Sequence, residues 1–97
     1  ARPTEVVVRF SGIGASLVEE RTWHESQRHS WVPAEETLFD SEEPAPDVLV
    51  ATFRLSDFIE FKRWIKSFGD MAEVLSPDWL RAELHQEILS AARLYEQ

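Results

Sequence analysis

A mixed α+β domain, with elements in the order βαββαβ and one more helix at the end, is what this sequence predicts. Three observations carry the prediction. Thr4 to Phe10 and Val48 to Leu55 alternate at the period of two that a half-buried strand shows. Phe58, Phe61, Ile65 and Phe68 recur at helical spacing after the second of these strands. Ser76-Pro77 then opens a stretch in which Leu80, Leu84, Ile88, Ala91 and Tyr95 share one helix face.

Taken in order, the first strand puts Val6, Val8 and Phe10 on one side and Glu5, Val7 and Arg9 on the other. Ser11-Gly12-Ile13-Gly14 breaks the extended run, and Ala15 to Glu20 reads as a short helix. Arg21 to Val32 alternates polar and aromatic residues until Pro33 stops it, which predicts a second strand. The connection at about 33–47 carries three prolines and reads as a solvated acidic hairpin loop. In the third strand Leu49, Ala51, Phe53 and Leu55 oppose Val48, Val50, Thr52 and Arg54. Ser56 as N-cap and Asp57 at the positive helix end start the second helix, and Gly69 ends it as a C′ residue. Met71 to Leu75 is a short fourth strand, and the terminal helix runs over about 77–95. The first six elements follow the ferredoxin-like split βαβ order, a sandwich in which a four-stranded sheet carries both helices on one face.

Ninety-seven residues suffice for one domain with a core of its own. The absence of cysteine removes disulfides, thiolate chemistry and cysteine-based zinc sites, and it suits a reducing compartment, so a cytoplasmic location is expected. No apolar run approaches membrane-spanning length. The chain opens Ala-Arg-Pro, with neither an initiator Met nor a signal-peptide pattern, and is expected to be a piece of something longer.

The net charge of −8 is unevenly spread. Glu35, Glu36, Asp40, Glu42, Glu43 and Asp47 supply six negatives in a stretch without Lys or Arg, leaving the rest near neutral. Duplex binding by this domain is therefore disfavoured, because it depends on clustered cations.

No constellation spells a reaction, and no enzyme is predicted. His24 and His29 are five apart, hence on opposite faces of a strand, and His85 is remote, so no metal site is expected. His24 and Ser26 lack an acid to orient the imidazole. An acylphosphatase-like reading needs an asparagine and the chain has none. An RNA-recognition motif needs an aromatic Gly-Phe-type third strand, which Val48 to Leu55 does not supply. Gly12-Ile13-Gly14 lacks the third glycine and the lysine of a phosphate cradle, and no cofactor is called for. Of the four tryptophans, Trp64 reads as core filling, Trp79 as a plug for a groove in this domain or a neighbour, and Trp23 fits either role.

Arg21-x-Trp23-His24-x-Ser26-Gln27, Phe61-Lys62-Arg63-Trp64-Ile65-Lys66-Ser67-Phe68-Gly69 and Glu73-Val74-Leu75-Ser76-Pro77 leading to Leu80-Arg81 together resemble the WCX domain, the C-terminal module of bacterial WYL-domain transcriptional regulators. The resemblance runs from Val6 to about Tyr95. Family members commonly carry Pro in place of Glu25 and a short Gly-containing turn in place of the acidic loop. It implies a non-enzymatic module for regulation, dimerisation and effector sensing, preceded in its chain by a WYL domain and a helix-turn-helix reader through which DNA would be bound. The effectors implied include nucleotides and single-stranded nucleic acid. A free-standing, ACT-like small-molecule-binding domain is the rival reading.

Two surfaces follow as expectations. Arg9 and Arg54 point away from the helices, and Arg28 joins them if the second strand turns His24 and Ser26 outward. With Arg21, Trp23 and Gln27 these residues form the candidate effector or interdomain surface. The arginines there either pack on the WYL domain or acidic loop, or bind an anion bidentately. The stripe of Trp79, Leu80, Leu84, Ile88 and Tyr95 is the candidate surface of a homodimer.

Overall fold

The computed structural model describes residues 2–33 and 47–96; residues 34–46, which hold most of the predicted acidic connection, lie outside them. The described chain is a mixed α+β fold of four strands and three α-helices. They follow as β1 (Thr4–Phe10), α1 (Gly12–Glu20), β2 (Arg28–Val32), β3 (Val48–Leu55), α2 (Ile59–Lys66), β4 (Ala72–Ser76) and α3 (Asp78–Arg93), with a single 3-10 turn at Gly69–Met71. All neighbouring strands are antiparallel, in the order β2-β3-β1-β4.

The alternation of β1 and β3 decides which face is covered. Val6, Val8, Phe10, Leu49, Ala51, Phe53 and Leu55 are all buried, joined by Ala15 and Val18 of α1, Phe61 and Ile65 of α2, Val74 of β4, and Leu80 and Leu84 of α3. Glu5 pairs with Arg54 and Arg9 with Val50 on the opposite face, so both arginines point away from the core as the pattern predicts. Gly69 has the left-handed φ of +60° but lies two residues past the Ser67 C-cap, one beyond the expected C′ position, where it opens the 3-10 turn that leads from α2 to β4. A Cβ on Gly14 would lie 3.1 Å from both Phe68 and Met71, so the bare glycine admits α1 close to that turn.

Several boundaries differ from the sequence prediction: α1 already starts at Gly12, within the segment expected to break the chain, and β4 runs one residue later, over Ala72–Ser76. The second strand covers only Arg28–Val32, because residues 21–27 form a bonded turn instead of an extended run. The N-cap position of α2 is Phe58, and Asp57 Oδ1 just before it accepts the Ile59 N–H at 3.1 Å, so the helix starts two residues later than a Ser56 cap would place it. At α3 the N-cap position is Pro77 itself, its carbonyl accepting from the Leu80 and Arg81 N–H groups.

An ion cluster ties α3 to α2. Lys62 Nζ lies 2.6 Å from Glu87 and 3.2 Å from Glu83, and Lys66 Nζ lies 2.7 Å from the other oxygen of Glu87. The hydrogen bond from Lys62, then that from Lys66, lowers the Glu87 pKa, while that of Lys62 is raised mainly by its bond to Glu87. For the lowered carboxyl, stability is present above the unfolded value of about 4.3 and is lost as pH falls through the folded one; for the raised ammonium it is present below about 10.4 and lost as pH rises through the folded value. Glu87→Gln is therefore expected to melt lower than wild type near neutral pH, by a few degrees at most because these groups face water. The gap should close on acidification below the carboxylate range, which parallel melts across pH would show; a gap independent of pH would mean the cluster adds nothing.

Candidate functional site

The segment after α1 is built as a knot. Its extended Arg21 leads to Trp23, whose N–H donates to Gln27 Oε1 at 2.9 Å, while Gln27 Nε2 donates to the Val18 carbonyl of α1 at 3.3 Å. The Gln27 N–H closes the turn on the His24 carbonyl at 3.0 Å. Gln27 is thus buried, 7% exposed, with its amide ends occupied. The hydroxyl of Ser26 accepts the Arg54 N–H at 2.8 Å and so fastens the knot to β3. His24 Nδ1 faces the Ser26 N–H at 3.1 Å and the Ser26 Oγ at 2.7 Å, and since a backbone N–H can only donate, Nδ1 is the acceptor there.

Trp23 belongs to the core wall. Its ring stacks on Trp64 at 4.7 Å and 11°, and meets Phe61 at 5.6 Å and Phe53 at 6.1 Å edge-on. That ring is half-buried with one face covered by Trp64, so of the two roles open to Trp23 packing against its own core is the one seen. The core-filling role expected of Trp64 is what the stack and its tilted contact with Phe10 show.

The open sheet face separates the predicted arginines. Arg9 donates to Glu73 across the β1–β4 ladder, and Arg81 reaches the other oxygen of Glu73 at 2.7 Å. Two guanidinium groups lower the pKa of Glu73, Arg81 first and Arg9 second, against a small opposing effect of burial. Arg9 is thus engaged by Glu73, which it shares with Arg81, and is set apart from Arg28 and Arg54. Arg28 and Arg54 remain together. With Glu5, Ser26, Thr52 and Phe53 they line a polar cleft of about 330 Å³. Arg54 is only loosely paired, 3.9 Å from Glu5, and Arg28 donates to the Gln27 carbonyl at 2.9 Å. Arg21 is exposed and does not line that cleft.

On α3 the predicted stripe divides. Leu80 and Leu84 are consumed by the chain's own core, whereas Ile88 and Tyr95 stand exposed where the helix runs past the sheet, so the stripe as a whole cannot be a side-by-side dimer surface. Trp79 lies off the stripe and meets Phe58 edge-on at 5.0 Å while remaining 50% exposed. Beneath the overhang is a cleft of about 540 Å³ with an apolar floor of Ile65, Ala72, Val74, Leu84 and Ile88 and a rim that includes Arg81 and His85. Sequence reasoning missed it, since nothing in a periodic stripe marks where a helix leaves its support.

Among the described residues, no group of three His, Asp or Glu side chains is placed to hold a metal ion, and no helix is long and apolar enough to cross a membrane. No curated protein matches the chain at a significant level of similarity. The family model of the WCX domain matches residues 2–92, from before β1 to within one residue of the end of α3. With the knot, the sheet and all but the last residue of the helices inside that match, the chain belongs to the WCX domain family.

Proposed function

We propose that this chain is the C-terminal regulatory and dimerisation module of a WYL-type helix-turn-helix transcriptional regulator, and that the cleft at Ser26, Arg28 and Arg54 receives the anionic part of its effector. The observation that carries the reading is the family match over nearly the whole chain. The element order, read as the ferredoxin-like split βαβ pattern with one appended helix, is compatible with it. In this reading the module works in the cytoplasm and is not an enzyme. DNA is bound through an N-terminal domain, since a chain of net charge −8 is poorly suited to duplex phosphate. The exposed overhang of α3 seats the WYL domain of the same chain.

Two guanidinium groups beside the Thr52 side chain suit a phosphate-bearing ligand, such as a nucleotide or a short single strand. Replacing Arg28 and Arg54 together by Gln in the full-length regulator should weaken binding of short single-stranded oligonucleotides by about tenfold or more. The slope of log affinity against log salt should become shallower by roughly 1.4, the share of two phosphate contacts on a single strand. Unchanged affinity and slope in a folded variant would remove the effector from this cleft. A free-standing, ACT-like small-molecule-binding domain is the second reading, and the apolar cleft under α3 is what favours it. A helix-turn-helix pattern encoded upstream of Ala1 supports the regulator; a start codon directly before it supports the rival.

A further inference from the structure

The two edges of the sheet are treated differently. At the β4 edge α3 lies alongside, and Arg81 donates to the outward Val74 carbonyl at 2.9 Å. At the other edge β2 has four exposed residues, Arg28 to Trp31, and Val32 is half-buried. Unpaired strand edges are templates for another strand, and proteins ordinarily guard them.

Ser26 bonds the Arg54 N–H, so the peptide groups of Arg54 face the β2 side of β3. By alternation Thr52, Val50 and Val48 face the same way, and their partners Arg28, Ser30 and Val32 turn their N–H and C=O groups inward to meet them. His29 and Trp31 therefore turn theirs outward.

We propose that this edge is a homodimer interface in which β2 pairs antiparallel with β2 of a second copy, about a two-fold axis at Ser30, joining the two four-stranded sheets into one. It rests on the reading of the chain as a dimerising module and names the surface. The register is fixed by chemistry. Placing His29 opposite Trp31 of the other copy pairs the two outward residues with each other twice, for four backbone hydrogen bonds around the axis. Shifting so that Trp31 meets Trp31 brings Pro33, which has no N–H, opposite His29 and loses bonds. Shifting the other way spends the Gln27 N–H, which is already committed to the His24 carbonyl. In the favoured register the imidazole and indole face each other across the join, Arg28 faces Val32, and no like charges are opposed. The overhang of α3 is at the far edge of the sheet and is left free for another domain.

Ser30 faces its own copy in a non-hydrogen-bonded pair, where Cα atoms stand about 4.5 Å apart, within disulfide reach. The chain has no cysteine, so Ser30→Cys reports the contact alone. Under mild oxidation it should form a covalent dimer at least about tenfold faster than Val32→Cys, whose copies lie several residues apart in this register. His29→Pro, which removes an outward donor and spares the bonds to β3, should shift the mass measured by light scattering toward monomer while far-UV circular dichroism is kept. If the chain is dimeric but Ser30→Cys cross-links no faster than Val32→Cys, this surface is wrong and the dimerisation reading stands. If the full-length regulator and the chain are both monomeric at all concentrations, the reading itself falls. A monomeric chain in a dimeric regulator, without Ser30→Cys cross-linking in either, gives the edge to a strand of another domain and overturns the proposal.

Discussion

Trp23→Ala is expected to destabilise the domain by about 3 kcal/mol, the low end of the range for removing a large buried aromatic side chain, because the ring is half-buried against the core. Its ring sits parallel to Trp64 and edge-on to Phe53 and Phe61, at the point where the turn before β2 meets α2 and β3. Truncation takes one wall from three aromatic neighbours at once, and the backbone it leaves is pinned by Gln27 and Ser26, so collapse into the gap is restricted. Domains of this size carry about 5–15 kcal/mol in total. The melting temperature should therefore drop by more than about 12 °C, and the near-UV circular dichroism of the indole stack should be lost. Trp23→Phe should retain a good part of the stability. A Trp23→Ala variant within about 1 kcal/mol of wild type in urea would mean the ring is dispensable to the fold, and would reopen it as a ligand-stacking surface.

The same residue shows where the sequence was and was not legible. In β1 and β3 the period-two pattern states the buried face residue by residue, and Val6, Val8, Phe10, Leu49, Ala51, Phe53 and Leu55 are where it puts them. Residues 21–27 defeat the same reasoning, because Trp23, His24, Ser26 and Gln27 imitate a strand's mixture of polar and aromatic residues while their side chains bond locally. Hydrophobic pattern is blind to a glutamine that is buried because its amide is satisfied. Arg9 was placed on the correct face, yet its charge was not free; that depended on Glu73, a partner 64 residues away that only the β1–β4 register brings beside it. Arg28 and Arg54 are adjacent for a similar reason, since the β2–β3 register sets Arg28 opposite Thr52, two residues from Arg54.

The stripe on α3 poses the remaining problem, since periodicity states that a face is apolar and not which body covers it. Leu84 is buried in this chain's own core and Ile88, one turn on, is 51% exposed. Leu84→Ala should cost about 2–5 kcal/mol, and Ile88→Ala, which opens no enclosed cavity, less than about 1 kcal/mol in the isolated chain. In the full-length regulator the ranking should narrow if the WYL domain seats on the overhang, because Ile88 then gains a burial it lacks alone. Removing residues 78–97 would strip Leu80 and Leu84 from the core together with the Glu83 and Glu87 anchors of Lys62. The truncated chain is accordingly expected to unfold or aggregate, and not to persist as a folded monomer. Urea titrations of the two point variants, with light scattering of the truncation, check this. Equal costs at Leu84 and Ile88, or a truncated chain that melts cooperatively near the wild-type temperature, would show that α3 is an appendage of the domain and not part of its core.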